Sequence, residues 1–400
     1  MSEVDVSKVL PRIDISAEEF ADRRRKATVQ AREEGFTGLL VCGRGGGAVD
    51  RYGDIAYLTD HYTSFPYIPD VEGKWTGRAH SFLVLPVRAD PCLVVDIPYR
   101  EKIVMPADQI VVTDLVIEST IAAMTERGLT AGRIGLVGND TIALSMFRKL
   151  SAALPNVEWV DADRILAALR AVKSPGEIAR LKAASRLGSR MIEAMMAAAV
   201  PGATHGEVLK AGMDILIPAG GMLYNSFMAS GTGGANGRAV RANFPTWSSE
   251  EPLSEGQWFR AGISGVLQGY YFDLSRSCPI GRPQPEQVEA FEAAIAVVEA
   301  GIAAIRPGVT AGEVAEAGIR KQQELGYPLT GVFTGLGHGV GLGWDSPWLN
   351  PGEPMKLVPG MVLCLEKTLS RGGYLGDFEE TVLVTETGVE RITDAPIRRW

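Results

Sequence analysis

Four residues, Asp273, His338, Glu366 and Glu379, are of types and in positions that could do chemistry together. Two of them follow from a register argument. The stretch GMVLCLEKTLSRGGYLGDFEETVLVTETG (360–388) reads as a long hairpin, and Gly372-Gly373 suits a two-residue primed turn. With that loop, Arg371 faces Tyr374, and counting outward Glu366 faces Glu379. Directly opposed side chains share one face, with Cβ atoms about 4.5–5.5 Å apart. Two carboxylates so placed repel, so the fold must protonate one or set a cation between them. Solvation of both at a sheet edge, or a bulge that shifts the register, would remove the need. His338 lies in TGLGHGVGLGWDSP (334–347) and is one of four histidines. The glycines around it fit no dinucleotide fingerprint, because Leu342 and Trp344 occupy the third-glycine positions, and no Gly-Lys-Ser/Thr follows for a phosphate loop. Close approach of backbone to a ligand or a neighbouring strand explains them better, although a lone histidine in such a loop is more often structural. Asp273 sits mid-strand in GYYFDLSRS, where aspartate is disfavoured; a salt bridge to Arg276 is the simpler account. Together, one imidazole and three carboxylates suit a divalent ion such as Mn, Fe, Co or Zn.

The elements that must hold these residues form two groups. SAEEFADRRRKATVQAREEG opens on a capping box, Ser16 to Glu19, and closes on Gly35 as a helix should. The apolar runs GLLVC, SFLVLP, CLVVD, QIVV and RIGLV follow, with helical stretches near 117–127 and 142–153 among the later ones. This is the pattern of an α/β domain over residues 1–165. Ser174-Pro175 then starts a long helix in a second, α+β domain over 166–400. That domain carries an internal echo: MIEAMMAAAVPGATHGEVLKAG (191–212) and VVEAGIAAIRPGVTAGEVAEAG (297–318) agree at 12 of 22 positions. Each is a helix end, a Pro-Gly turn and a Thr-led helix start. The separation is too long for a solenoid repeat and fits a duplicated half-domain, with a site on its pseudo-twofold axis. GQWFRAGISGVLQGYYFDLSRSCPI (256–280) reads as strand, turn, strand.

Composition narrows the partners. The chain has 400 residues, 46% hydrophobic and 22% charged, with net charge -8. No apolar run reaches the roughly 18 residues of a membrane span, and MSEVDVSKVL lacks the layout of a secretory signal. Cys42, Cys92, Cys278 and Cys364 are scattered, as expected of reduced thiols in a cytoplasm. No basic stripe tracks phosphates, and RRRK (23–26) lies among Glu18, Glu19, Glu33 and Glu34 on a solvated helix face. The expected partner is a small-molecule substrate, with no nucleic acid and no membrane.

Taken in order, GYYFDLSRS, GLGHGVGL, PGMVLCLE and FEETVLVTETG resemble the pita-bread metallopeptidase family, whose members include methionine aminopeptidase, Xaa-Pro dipeptidase, creatinase, ectoine hydrolase and a dimethylsulfoniopropionate lyase. VKSPGEIARLKAA resembles the segment that opens their catalytic domain, and the preceding α/β domain resembles the creatinase-type N-terminal domain. The resemblance spans nearly the whole chain and implies a homodimer. In dinuclear members, Asp, Asp, His, Glu and Glu hold two metals; the last four match Asp273, His338, Glu366 and Glu379. The first Asp would stand eleven residues before Asp273, at Gly262. In the family that Asp serves only one of the metals, so the resemblance implies a full set for a single ion, with a metal-free, creatinase-like site as the rival.

Two further departures bear on the reaction. Dipeptidases of the family carry a second histidine seven residues after the first; here that position is Asp345. The histidine they carry ahead of the first Asp strand is also missing from ASGTGGANGRAVRANFPTW, which offers Arg238 and Arg241. An Xaa-Pro dipeptidase is therefore the less expected outcome. The expected activity is a one-metal hydrolase acting on a C–N bond of a small polar metabolite. The metal would activate water, His338 would hold the metal, and Asp345 or Glu366 would move protons. Arg238 and Arg241 would bind a substrate carboxylate, and Trp344 would also contact the substrate. A lyase, with Asp345 as the base for elimination, is the runner-up. Asp345 could equally be a turn residue before Pro347, and the arginines could be plain surface residues. By resemblance, Tyr62, Trp75, Arg78 and His80 in HYTSFPYIPDVEGKWTGRAH (61–80) would line the pocket across a dimer interface; a surface loop is the alternative.

Overall fold

The computed structural model describes residues 9–45, 51–63, 65–97, 103–244, 250–329 and 334–398. The chain divides into two compact units: Asp14–Arg170, and Ala171–Trp400 together with the segment ending at Ile13.

The first unit runs α1 (Ala17–Glu33), β1 (Gly38–Arg44), α2 (Gly53–Thr59), β2 (His80–Pro86), β3 (Cys92–Val95), β4 (Ile110–Val112), α3 (Val116–Glu126), β5 (Ala131–Val137), α4 (Leu144–Ala153), β6 (Asn156–Asp161) and α5 (Asp163–Ala171). The Ser16 hydroxyl accepts the Glu19 N–H and starts α1, as its capping-box spacing requires. The strands form one mixed sheet in the order β4-β3-β2-β1-β5-β6. Strands β1 and β2 are buried almost throughout, which is why their sequences are continuous apolar runs and not alternating ones. The expected boundary near residue 165 falls inside α5, and the units divide at Arg170 instead. The reason is local: the Leu169 carbonyl accepts the Tyr57 hydroxyl at 3.2 Å, and Arg170 pairs with Asp54 at 2.8 Å, so α5 stays with the first sheet. At the other end, residues 9–13 belong to the second unit, where the Ile13 carbonyl accepts Arg180 Nε at 2.8 Å and the Pro11 carbonyl accepts Gln268 Nε2 at 2.7 Å.

The second unit contains α6 (Pro175–Ala198), α7 (His205–Leu216), β7 (Met222–Gly231), β8 (Ala239–Phe244), β9 (Trp258–Leu267), β10 (Tyr270–Pro279), α8 (Pro285–Ala304), α9 (Ala311–Glu324), β11 (Gly337–Val340), β12 (Trp344–Leu349), β13 (Val362–Arg371), β14 (Tyr374–Val384) and β15 (Val389–Arg391). The sequence echo is a structural one. Thr204 caps α7 and Thr310 caps α9 with matching boxes: each threonine N–H donates to the glutamate three residues on, at 2.8 Å to Glu207 and 2.7 Å to Glu313. In both copies the glycine of the preceding Pro-Gly turn has positive φ, +90° at Gly202 and +91° at Gly308.

The strands of this unit make a nine-stranded sheet ordered β12-β11-β13-β14-β10-β9-β7-β8, with β15 beside β14. Its helices cover one face. Leu187, Ile192 and Val208 of α6 and α7 pack on Phe259, Ile263, Phe272 and Leu274 of β9 and β10. Ala294, Val298 and Val314 of α8 and α9 pack on Leu363, Leu365, Phe378 and Val382 of β13 and β14. Strand side chains alternate between faces, so the intervening residues Arg260, Gly262, Ser264, Asp273, Ser275, Glu366, Asp377 and Glu379 share the opposite face. Among the described residues no helix is long and apolar enough to cross a membrane, and all four cysteines are free.

Candidate active site

The hairpin holds the expected register. Arg371 pairs with Tyr374 and Glu366 with Glu379, with no slip along the ladder. The turn glycines have φ of +58° and +81°, the left-handed pair that this loop demands. Strands β13 and β14 lie inside the sheet, and Glu379 is only 3% exposed, so solvation at an edge does not relieve the two carboxylates. Asp273 comes from β10, which pairs with β14, and His338 from β11, where it sits opposite Cys364 of β13. The proposed bridge from Asp273 to Arg276 does not form. Three positions apart on a strand, the two point to opposite faces, and Arg276 is paired with Glu380 at 2.5 Å.

The glycines beside His338 allow the close approach of strands. A Cβ on Gly337, whose φ is +148°, would lie 1.9 Å from the Cys364 carbonyl oxygen. The strand can therefore seat His338 between β12 and β13 only because its neighbour has no side chain. The His338 ring is buried, and its Nδ1 lies 2.9 Å from the Gly339 carbonyl. A carbonyl can only accept, so Nδ1 carries the proton, and the lone pair of the neutral ring is at Nε2. Nε2 lies 3.5 Å from Asp273 Oδ2.

These groups surround a cavity of about 220 Å³ lined by Asp273, His338, Glu366 and Glu379, by Arg260, Gly262, Ser264 and Ser275 of β9 and β10, and by the aromatic side chains of Phe227, Trp344 and Trp348. Asp273 accepts the Ser264 hydroxyl at 2.8 Å and Trp344 Nε1 at 2.6 Å. Even so, burial pushes its carboxyl up, against the opposing pull of His338. Burial and then the charge of Asp273 raise Glu366 from 4.5 to about 7. Glu379 is driven well above the usual carboxylate range, by burial first and then by Asp273 and Glu366. Its Oε1 is buried and, among the described residues, has no hydrogen-bond partner.

This environment is short of positive charge, and its donors fit one metal ion: three carboxylates and an imidazole lone pair on one face, one carboxylate oxygen unsatisfied. As the side chains stand, no three His, Cys, Asp or Glu donors among the described residues converge on a single point. Carboxyl groups without a counter-charge repel and hold protons, and a bound cation would replace those protons and draw the donors in. For a second ion the family's donor set is one carboxylate short. Gly262 supplies no donor, and the Arg260 guanidinium lies beside it.

The other expected site residues are placed differently. Trp344 lines the cavity. Asp345, its neighbour, does not: along β12 the side chains alternate, and Asp345 points the other way into a buried ion pair with Lys173 at 3.2 Å. The residue expected as general base, Asp345, is thus the partner of Lys173 and lies outside the cavity lining. Arg238 and Arg241 also lie outside the cavity. Arg238 is exposed and bound by both nitrogens to Glu251, at 3.0 and 2.5 Å, and Arg241 is exposed on β8.

Tyr62, Trp75, Arg78 and His80 belong to the first unit and have partners within it. Tyr62 meets Tyr52 edge-on at 4.7 Å between ring centres. Trp75 Nε1 donates to the Pro69 carbonyl at 3.0 Å, Arg78 pairs with Asp114 and, at 3.5 Å, with Asp96, and His80 Nδ1 bonds the Arg78 carbonyl at 3.0 Å. The cavity's arginine is Arg260, which the sequence reading does not single out. Its signal was available: two positions before Gly262 on a strand, it must share that residue's face.

Comparison with known proteins agrees with this architecture. The profile of metallopeptidase family M24 matches residues 179–386, and that of the creatinase/prolidase N-terminal domain matches residues 23–172. Ectoine hydrolase from Halomonas elongata is 25% identical over 285 residues, covering 68% of this chain and 71% of that protein. Creatinase from a Bacillus species is 24% identical over 373 residues, covering 86% and 85%. The crystal structure of dipeptidase PepE from Mycobacterium ulcerans superposes with a TM-score of 0.77 at 24% identity, covering 96% of this chain and 97% of the other, a likeness of fold.

Proposed function

Because the chain belongs to metallopeptidase family M24, with a creatinase-type N-terminal α/β domain ahead of a pita-bread catalytic domain, we propose that it hydrolyses a C–N bond in a small polar metabolite with the help of one metal ion. The observation that carries this reading is the cavity face of Asp273, His338, Glu366 and Glu379, where a buried Glu379 oxygen has no hydrogen-bond partner among the described residues. Those four residues would hold the ion, which when bound supplies Lewis acidity to polarise the scissile group and activate water.

The chain's own groups supply the rest. Without the ion, burial raises Glu366 from 4.5 to about 7, so it holds a proton near neutral pH; with the ion bound, a carboxyl oxygen of Glu366 not used as a ligand would accept the proton of the attacking water. His338, with its proton fixed at Nδ1, keeps Nε2 free as a donor atom. Trp344, Trp348 and Phe227 wall the cavity and would orient the apolar part of a substrate while excluding bulk water. The volume of about 220 Å³ is below the roughly 300–1,000 Å³ of drug-sized ligand sites, which favours a small ligand.

Peptidase activity is disfavoured because Asp345 stands where the peptidases carry their second histidine and is committed to Lys173. The same pairing removes the base on which an elimination reaction would rest, so hydrolysis is kept as the reading. The substrates named by the ectoine hydrolase and creatinase relatives belong to the proposed class.

The test is a substrate panel of ectoine, creatine and an Xaa-Pro dipeptide, run in labelled water with a His338→Ala control. Hydrolysis of a small metabolite with label in the product, lost in the control, is the expected result. Efficient cleavage of the dipeptide, or a product without label, would overturn the reading.

A further inference from the structure

The sequence signals no role for Arg260, yet its setting is built. The residue that follows it on the same strand face is Gly262. A Cβ at Gly262 would meet Arg260 Nη2 at 3.4 Å, with Phe227 O and Ser275 Cβ next at 3.8 Å. The guanidinium thus folds back along β9, over the space that a side chain at 262 would enter. Its Nε donates to Asp377 Oδ2 at 2.9 Å. Asp377 is itself fixed: it is fully buried, its Oδ1 accepts the Thr368 hydroxyl, and its backbone N–H donates to Ser277 Oγ at 2.8 Å. Among the described residues, Nη1 and Nη2 make no hydrogen bond to protein, and Arg260 lines the cavity with Glu366 and Glu379. Position 262 is where the two-metal arrangement of the family would place the aspartate that serves only the second ion.

We propose that Arg260 is a fixed cation standing where a second metal would bind, and that with Gly262 it holds this site to a single exchangeable ion. The proposal rests on the one-metal reading above and explains it. A guanidinium keeps its charge across the working pH range and cannot be removed by a chelator. Pinned by Asp377, it repels a divalent ion from the place beside it. It presents N–H donors to the cavity and not an open coordination position, so a substrate oxygen beside it would be hydrogen-bonded and not ligated.

The test counts Mn²⁺ bound per folded chain by equilibrium dialysis at pH 8, with circular dichroism as the check of folding. The proteins are wild type, Gly262→Asp, and Gly262→Asp combined with Arg260→Lys or with Arg260→Gln. The expected counts are one ion for the first three and two for the Gly262→Asp/Arg260→Gln protein. A second ion in Gly262→Asp alone would overturn the proposal, and so would a folded Gly262→Asp/Arg260→Gln protein that gains none. A wild type that binds no ion would sink the one-metal hydrolase, whereas the increment between Gly262→Asp and its Arg260→Gln derivative judges Arg260 separately. Should the double variant not fold, Arg260→Gln alone decides: loss of the neighbouring charge should tighten Mn²⁺ binding about tenfold, and unchanged or weaker binding would overturn the idea.

Discussion

Replacing Glu366 by glutamine in the metal-free protein should stabilise it, and only above mildly acidic pH. The Glu366 carboxyl is raised in the folded state from 4.5 to about 7. Below pH 4.5 the group is protonated in both folded and unfolded chains, so it costs nothing. Between 4.5 and about 7 the unfolded chain releases this proton and the folded chain keeps it, so stability falls as pH rises. Above about 7 the loss is complete. Each pH unit across that window contributes about 1.4 kcal/mol, which gives a total of about 3 kcal/mol. Glu379 and Asp273 are shifted in the same direction and deepen the trend. Glutamine has no proton to lose, so Glu366→Gln should match wild type at pH 4.5 and exceed it at pH 8 by about 3 kcal/mol. For a unit of this size that is about 6–12 °C in Tm. Calorimetry of both proteins in chelator at the two pH values checks it, and Mn²⁺ should then stabilise wild type most at pH 8, where it competes with the fewest protons. Parallel pH profiles for the two proteins would refute the claim that Glu366 is held against its charge.

The Lys173–Asp345 pair is buried, with side chains 1% and 5% exposed. Lys173→Met or Asp345→Asn, each leaving one uncompensated charge or its partner unpaired, should cost about 3–5 kcal/mol, read as a lower Tm, with the Mn²⁺ count unchanged because neither residue lines the cavity. Gly188→Ala on α6 would place a Cβ 2.5 Å from the Phe272 ring. Such overpacking costs about 1–3 kcal/mol, again seen in Tm, and an unshifted transition would show that the helix can lift from β10 freely.

Features set by local chemistry were legible in the sequence. The two turn glycines fix the hairpin register and with it the Glu366–Glu379 pair. The threonine boxes fix the starts of α7 and α9, and the echo between them exposes the duplicated half-domain. The unit boundary was less legible, because α5 begins a few residues before the change of unit and its allegiance depends on contacts of Leu169 and Arg170 with residues more than a hundred positions away. No local signal encodes that choice.

Within the site, spacing along the chain puts Asp345 close to His338, and Arg238 and Arg241 ahead of the motif, but none of the three lines the cavity. In a sheet what counts is the face, which reverses at every residue. Strand β12 turns Trp344 and Trp348 toward the cavity and Asp345 toward Lys173. The same alternation applied to β9 would have found Arg260, since Gly262 marks the cavity face and 260 must share it. The two positions then make one physical statement. Without a carboxylate at 262 a second ion would lack a ligand, and the Arg260 guanidinium lies in contact with the space that a side chain there would enter. Neither change would suffice alone: an aspartate at 262 would pair with Arg260, and a neutral residue at 260 would leave Asp377 buried without its ion partner.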